Sequence, residues 1–211
     1  MRVERLIVFL KAPRPGAVKT RLAASLGTEG ACAVYRRLVE RLLWEMAPLP
    51  EVELRFTPDD AAAEIRSWIG EHWVLAPQGS GDLGERLAAA AATAFRGGAK
   101  RVALIGSDCP EVMRADITAA WTGLLAHEVV LGPAQDGGYW LIGLRAPQPG
   151  LFAGMPWSTP AVLEETLARC REARLSVGRL RELADIDTEA DWQRFLQSPG
   201  RAGCSVDPGS R

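Results

Sequence analysis

Five consecutive apolar residues, 6–10 (LIVFL), are followed at once by a stiff basic loop, 11–21 (KAPRPGAVKTR). An uninterrupted apolar run is typical of a strand that is buried on both faces, as in a parallel sheet covered by helices. In such α/β proteins, ligands bind outside the carboxyl ends of the strands. Four cations in eleven residues repel one another unless an anion, or acidic side chains from elsewhere, lie among them. The pattern predicts a phosphate-binding loop, with a solvated surface loop as the alternative.

Strand and helix patterns alternate along the rest of the chain without repeats. Strands are predicted at 52–57, 73–75, 101–108, 129–131 and 139–144, and helices at 28–47, 58–69, 83–95, 114–126, 159–173 and 189–196. The Asp136-Gly137 pair predicts a hairpin turn, so the strand after it returns antiparallel. We expect an α/β three-layer sandwich with a mainly parallel sheet in residues 1–197. The Gly-, Pro- and Ser-rich tail, 198–211, is expected to be disordered.

Composition excludes several classes of function. The 211 residues carry a net charge of −1, which argues against broad binding to nucleic acid or anionic membranes. No apolar stretch reaches the roughly 20 residues of a membrane span, and the short N-terminal apolar run does not make a signal peptide. The four scattered cysteines and two histidines do not suggest a zinc site or a disulfide framework, so we expect a cytoplasmic protein. Any metal should be a hard cation bound by oxygen.

The basic loop differs from the familiar nucleotide-binding motifs. Val18 precedes Lys19-Thr20 where a P-loop needs glycine, and no strand is followed by G-x-G-x-x-G. Pro15 restricts the backbone and Gly16 frees it, which can bring main-chain N–H groups near a phosphate. The cations of the loop would supply charge, and an arginine can bind two oxygens at once.

Asp108 follows a buried strand directly, within Gly106-Ser107-Asp108. A carboxylate at that position, facing phosphates on the basic loop, suits Mg²⁺, which takes one or two protein carboxylates together with phosphate oxygens and water. A turn or helix-capping role is the alternative. At Asp136-Gly-Gly-Tyr139, the glycines and aromatic rings could form a floor for a base or sugar, in addition to the hairpin turn.

Three further segments have both a structural and a functional interpretation. Asp82 and Glu85 form a capping-box pattern, but a glycine-rich helix start can also bind an anion, and Arg86 lies one turn further on. Asp185 and Asp187 are predicted to alternate on one face of a strand and could share a cation, or they could form an acidic surface turn. Trp157 lies at a helix start and, with the neighbouring hydroxyls of Ser158 and Thr159, could contact a sugar.

Six ordered motifs across about residues 4–196 resemble the GT-A, or nucleotide-diphospho-sugar transferase, superfamily. They are most similar to the bacterial family called domain of unknown function 2064 (DUF2064). The motifs are KAPRPGAVKTRL (11–22), GSGDLGER (79–86), GSDCP (106–110), DGGYWLIGL (136–144), WST (157–159) and DIDT (185–188). The same order of motifs is similar to that of phospholactate guanylyltransferase and molybdenum-cofactor guanylyltransferase.

The resemblance implies a GT-A-like fold and a transferase in which the basic loop binds nucleotide phosphates and Asp108 holds Mg²⁺ or Mn²⁺. Two departures leave the reaction open. The chain lacks the L-x-A-G-x-G-x-R-M loop of nucleotidyltransferases, and Ser107-Asp108-Cys109 has one acid where most glycosyltransferases have D-x-D.

The favoured hypothesis is a metal-dependent glycosyltransferase that takes a nucleotide-diphospho-sugar and a small-molecule acceptor. Alternatives are a nucleotidyltransferase that joins an NTP to a phosphorylated acceptor and releases pyrophosphate, and a non-catalytic nucleotide-binding domain. The predicted catalytic residues are Asp108, Lys19 and Asp136, and the predicted metal ligands are Asp108, Asp187 and Asp185. Nucleotide and phosphate contacts are predicted for Lys11, Pro15, Gly16, Lys19, Thr20, Arg21, Asp82, Arg86 and Ser107. The predicted acceptor side consists of Gly137, Gly138, Tyr139 and Trp157.

Overall fold

The apolar strand patterns build one seven-stranded sheet within residues 3–197, the part of the chain that the computed structural model describes. The strands are β1 (Glu4–Lys11), β2 (Val52–Thr57), β3 (Val74–Pro77), β4 (Arg101–Gly106), β5 (Val129–Pro133), β6 (Tyr139–Leu144) and β7 (Val177–Arg179). Their order is β3-β2-β1-β4-β6-β5-β7, and only β6 is antiparallel to its neighbours among these strands. The predicted mainly parallel sheet with a returning strand is confirmed. The tail 198–211, with Cys204, lies outside the described residues.

Helices cover both faces of the sheet. They are α1 (Ala23–Met46), α2 (Ala62–Ile69), α3 (Leu83–Arg96), α4 (Arg114–Ala126), α5 (Val162–Glu172) and α6 (Glu189–Gln197). In β1, Leu6, Val8 and Leu10 pack toward α1, α2 and α4, whereas Ile7 and Phe9 pack toward α3 and α5. Alternating side chains are thus buried on opposite faces, which explains why the first strand is apolar throughout. The three-layer arrangement is the one predicted.

Several element boundaries differ from the sequence-based predictions. Gly27 adopts φ of +71° inside α1, which separates a short helical stretch from the long helix that the sequence predicts from Thr28. Helix α5 begins at Val162 rather than at 159, because the Thr159 hydroxyl donates to Pro156 O (2.7 Å) in a preceding turn. No helix within residues 3–197 has both the length and the apolar character needed to cross a membrane.

The C-terminal part of the sheet also differs. The short strand β7 is not predicted, because its three residues contain a single large apolar side chain. Conversely, Asp185 and Asp187 do not lie on a strand. They belong to an extended segment that touches the sheet through one bridge, between Leu183 and Ala134. This segment passes the carboxyl end of β4, where Ile186 N lies 3.4 Å from Asp108 O.

Candidate active site

The loop after β1 and the residues after β4 meet at the carboxyl edge of the sheet. The two strands are parallel neighbours, so their carboxyl ends lie side by side. Lys19 Nζ lies 3.5 Å from Asp108 Oδ2. The cationic loop and the mid-chain acid therefore converge, as the phosphate-site hypothesis requires.

Lys19 is the buried cation of this edge. Its side chain is 3% exposed, and Nζ also lies 3.1 Å from Asp187 Oδ1. Its backbone has φ of +47°, a left-handed conformation that a lysine rarely adopts. Burial alone would lower the pKa of Lys19, but the nearby Asp108, Asp187 and Asp185 carboxylates outweigh it and raise the pKa. Lys19 is therefore a protonated ammonium held among acids.

Acidic side chains from elsewhere also offset other charges in the loop. Arg21 Nη1 lies 3.3 Å from Asp187 Oδ2. Arg14 turns the other way and pairs with Glu64 (2.9 Å) on α2. The loop thus splits into an outer arm, which is tied to α2, and an inner arm that reaches the acids.

Tyr35 of α1 ties the ends of β1 and β4 together. Its hydroxyl accepts a hydrogen bond from Lys11 N (2.7 Å) and lies 3.1 Å from Lys11 O and 3.3 Å from Ser107 Oγ. Burial, reinforced by the Asp108 charge, raises the pKa of Tyr35, so the phenol stays neutral. A second tie is the Cys32 thiol, which donates to Pro13 O (2.9 Å). These contacts fix the loop relative to the sheet before any ligand binds.

Four aspartates form an acidic cluster beside Lys19. Burial and then the Asp136 and Asp108 charges raise the pKa of Asp185 to about 6, with Asp187 adding to the effect and Lys19 opposing it. Within residues 3–197, no three Asp, Glu, His or Cys side chains are arranged to hold a metal ion by themselves. Asp108 and Asp187 nevertheless share one cation already, the Lys19 ammonium. Two such carboxylates fit Mg²⁺ or Mn²⁺ when phosphate oxygens and water complete the shell.

Two cavities adjoin at Asp108. The first, which we call the acidic pocket, has a volume of about 310 Å³. Its described lining includes the carboxylates Asp108, Asp136, Asp185 and Asp187 and the aromatic residues Tyr139, Trp140 and Trp157, with no Lys, Arg or His. The second, the basic pocket, has a volume of about 380 Å³, and its described lining includes Lys11, Lys19, Arg86, Tyr35, Gln78 and Ser107. Phe9, Leu83, Gly106, Asp108 and Ser158 line both.

The basic pocket holds its arginine in a fixed position. Gln78 is buried, and its side-chain amide donates to Leu10 O (3.0 Å) and Arg55 O (3.2 Å). Its carbonyl oxygen accepts from Arg86 Nη1 (3.0 Å), while Arg86 Nε donates to Asp82 O (3.2 Å). The guanidinium is therefore oriented by neutral groups and keeps its charge available for an anion.

Asp82 itself has the structural role that its pattern predicts. Its Oδ1 accepts from Glu85 N (2.8 Å), and Glu85 Oε2 accepts from Asp82 N (2.8 Å). This is a complete capping box at the start of α3. A contact between Asp82 and nucleotide stays a prediction.

The hairpin tip between β5 and β6 forms one wall of the acidic pocket. Asp136 Oδ1 accepts a hydrogen bond from Gly138 N (2.8 Å), which closes the turn. Gly137 has φ of +86°, and a Cβ there would collide with Pro160 O. Gly137 O in turn accepts from Leu163 N (2.9 Å). The tip is thereby fastened to the first turn of α5.

The aromatic wall of the acidic pocket packs against the start of α3. Tyr139 and Trp157 meet edge to face, with ring centroids 6.4 Å apart. The buried Trp157 Nε1 has no hydrogen-bond partner in the described part of the chain. A Cβ on Gly84 would lie 2.9 Å from that nitrogen and would collide with Phe152 O. The next residue, Ser158, has φ of +63° and lines both pockets.

The structure brings most of the predicted site residues together, although their roles stay predictions. Lys11, Lys19, Arg86, Ser107 and Asp108 line the basic pocket, and Asp108, Asp136, Gly138, Tyr139, Trp157, Asp185 and Asp187 line the acidic pocket. The predicted residues outside the described lining of either pocket are Pro15, Gly16, Thr20, Arg21, Asp82 and Gly137. Sequence reasoning missed Tyr35 and Gln78, and it considered Ser158 only as a hydroxyl beside Trp157. The sequence signal available for Gln78 was its position directly before the glycine-rich motif at 79–86, whereas its burial is a tertiary feature.

Comparison with known proteins supports the resemblance. A family model described as "Uncharacterized protein conserved in bacteria (DUF2064)" matches residues 44–159. A crystal structure from Desulfovibrio desulfuricans G20, described as a "putative nucleotide-diphospho-sugar transferase", is 35% identical, with a TM-score of 0.89. The match covers 95% of this chain and 90% of that protein. No curated protein matches the chain.

More distant structures share the fold and are transferases, in agreement with the predicted enzyme class. CMP:2-keto-3-deoxy-manno-octonic acid synthetase, complexed with CTP, is 12% identical, with a TM-score of 0.56 and coverage of 92% of this chain and 96% of that one. Glucosyl-3-phosphoglycerate synthase from Mycobacterium tuberculosis, complexed with Mn²⁺, UDP and glucosyl-3-phosphoglycerate, is 13% identical, with a TM-score of 0.53 and coverage of 87% and 71%. With the family model matching more than half of its length and a close structural relative along nearly all of it, the chain belongs to the DUF2064 family.

Proposed function

We propose that this protein is a divalent-metal-dependent glycosyltransferase that uses a nucleotide-diphospho-sugar. The observation that carries the proposal is the meeting of Lys19, Asp108 and Asp187 where the two pockets adjoin. A diphosphate there would have cations on one side and a polar, partly aromatic chamber on the other. That arrangement suits a donor whose charged and sugar ends need different surroundings.

Asp108 and Asp187 are the side chains we propose as metal ligands. Their oxygens are hard donors, and both are partly exposed, at 53% and 40% of the side chain. A bound Mg²⁺ or Mn²⁺ would neutralise the charge that develops on the departing diphosphate.

The basic pocket is proposed to bind the nucleotide diphosphate. Lys11 and Arg86 lie on its walls, with the guanidinium oriented by Gln78. A Cβ on Gly106 would meet nothing within 4 Å, so the end of β4 leaves open space beside Asp108. The residues of this chain thus bind and orient the donor, and catalysis would come largely from positioning and charge.

The acidic pocket is proposed to hold the transferred sugar and the acceptor. Carboxylates accept hydrogen bonds from sugar hydroxyls, and aromatic rings such as Tyr139 and Trp157 pack against the apolar face of a sugar ring. Asp136 is the candidate to receive a proton from the acceptor hydroxyl, because its carboxylate lines the pocket and lies on a fixed turn.

Nucleotidyl transfer is the second candidate. The three cationic side chains of the basic pocket, Lys11, Lys19 and Arg86, suit a triphosphate. A phosphorylated acceptor would, however, meet four carboxylates and no described cation in the lining of the acidic pocket. That repulsion favours glycosyl transfer to an acceptor without phosphate.

Product analysis separates the two reactions. The protein is incubated with nucleotide sugars, or with NTPs, in the presence of Mg²⁺ or Mn²⁺. Release of nucleoside diphosphate from a nucleotide sugar supports glycosyl transfer, whereas release of pyrophosphate from an NTP without a sugar donor would replace it with nucleotidyl transfer.

The Asp108→Ala variant tests whether the site is catalytic. It should reduce metal-dependent turnover by at least roughly tenfold, as expected when a metal ligand is lost. Glu71→Gln, at an exposed carboxylate outside both pockets, is the matched control and should leave turnover unchanged. Unchanged turnover in Asp108→Ala, with nucleotide still bound, would indicate a non-catalytic nucleotide-binding domain.

A further inference from the structure

The buried ammonium of Lys19 lies beneath two carboxylates that solvent can reach. Nζ is 3.1 Å from Asp187 Oδ1 and 3.5 Å from Asp108 Oδ2. The lysine side chain is 3% exposed, whereas the aspartates are 40% and 53% exposed. An ion that arrives from solvent can therefore reach carboxylate oxygens that the buried ammonium already contacts.

Lys19 also balances the charge of the acidic cluster. Asp136, Asp185, Asp108 and Asp187 all line the acidic pocket, and the charges of the other three act on Asp185. Without the ammonium, these carboxylates would repel one another in a partly buried place. The ammonium in turn depends on them, because an unpaired buried cation is strongly unfavourable.

We propose that Lys19 is a built-in counter-ion that a divalent cation displaces from Asp108 and Asp187. This inference rests on the proposed function, since it concerns the same metal ligands. A divalent cation and the ammonium repel each other, so both cannot keep full contact with the same two carboxylates. Metal binding therefore has to work against an internal competitor.

The displaced ammonium of Lys19 can move into the basic pocket. Lys19 lines the basic pocket, where the phosphates of the donor are proposed to bind. Arg21 also contacts Asp187, but its side chain is 73% exposed and can turn to solvent when a metal ion binds. Metal binding at the acids and phosphate binding by Lys19 would then favour each other, and the site would bind metal alone weakly.

The first test measures Mn²⁺ binding by isothermal titration calorimetry without nucleotide. Lys19→Met keeps an unbranched side chain, one atom shorter, but removes the charge, and it should bind Mn²⁺ at least about tenfold more tightly than the wild type. Lys19→Arg retains the charge and should stay near the wild type. Equal or weaker Mn²⁺ binding by Lys19→Met would overturn the proposal.

A second test uses the wild type, so it does not depend on a variant that folds. The chain has three lysines, at 11, 19 and 100, and both Lys11 and Lys100 are exposed. Acetylation by an amine-reactive ester, followed by peptide mass spectrometry, should show Lys19 protected without metal and several-fold more reactive with saturating Mg²⁺. The other two lysines serve as internal controls. Unchanged protection of Lys19 while Mg²⁺ is bound would refute displacement.

Mn²⁺ binding with and without UDP distinguishes a failure of the displacement from a failure of the proposed function. If Mn²⁺ binds neither alone nor with UDP, the metal site and the displacement both fail. If Mn²⁺ binds with UDP but Lys19→Met gains no affinity for Mn²⁺ alone, only the displacement is wrong.

Discussion

Replacing Asp185 by asparagine should stabilise the protein at high pH and have little effect at low pH. Asp185 is mostly buried beside Asp136 and Asp108, and its pKa is raised from 3.8 to about 6. A carboxyl whose pKa is raised in the folded state binds its proton more tightly there than in the unfolded chain. Its favourable contribution is therefore fully present below pH 3.8 and is lost as the pH rises through about 6.

The size of the effect follows from that difference in pKa. Each pKa unit corresponds to about 1.4 kcal/mol, so ionised Asp185 costs up to about 3 kcal/mol at pH 8. Asparagine has a similar shape and carries no charge at any pH. Asp185→Asn should then be more stable than the wild type at pH 8 by up to about 3 kcal/mol. For a chain of this length, each kcal/mol raises Tm by about 2 to 4 °C.

The assay is urea unfolding of both proteins from pH 4 to pH 8, with a chelator present, because a bound metal ion would favour the ionised carboxylate. Glu71→Gln, at an 81% exposed carboxylate, is the control and should show no pH-dependent difference from the wild type. A stability difference between Asp185→Asn and the wild type that stays constant from pH 4 to pH 8, or that shrinks as the pH rises, would show that burial does not disfavour the ionised carboxylate.

Substitutions at two glycines test the packing of α3 and the position of the nucleotide site. Gly84→Ala should destabilise the protein by about 1–3 kcal/mol despite the better helix propensity of alanine, because its Cβ would collide with Phe152 O. Thermal unfolding measures this, with Gly150→Ala, where a Cβ meets nothing within 4 Å, as a near-neutral control; equal Tm values for the two variants would contradict the collision. Gly106→Leu should leave Tm within a few degrees of the wild type but abolish the thermal shift caused by nucleotide, since its side chain enters the open space between the pockets. A full nucleotide shift in that variant would show that the ligand binds elsewhere.

The layered fold was predictable because its signals are local and strong. The buried run of β1 and the Asp136-Gly137 turn predict a covered parallel sheet and a returning strand from pattern alone. β7 escaped prediction because three residues with little apolar content form a strand only through pairing with β5. Asp185 and Asp187 alternate as residues of a strand do, but within the described residues the segment that carries them does not pair with the sheet beyond the single bridge at Leu183.

Within the site, residue types were easier to predict than contacts. A basic loop after one strand and an acid after another indicate that opposite charges meet, since neighbouring parallel strands end at one edge. That Lys19 becomes buried depends on its left-handed backbone and on Asp187, which lies 168 residues away in the sequence. The WST motif includes Ser158, but the left-handed φ of Ser158 arises from the turn that precedes α5 and has no local signal. Such features depend on tertiary contacts rather than on local pattern.

The fastening of the hairpin tip to α5 has a consequence for affinity. Gly137 holds the tip against Pro160 and Leu163, so the wall that carries Asp136 is already rigid in the ligand-free protein. A substrate that binds there does not have to order a flexible loop, so the loss of conformational entropy on binding is small. Selectivity at this wall should therefore depend on shape and charge rather than on induced closure.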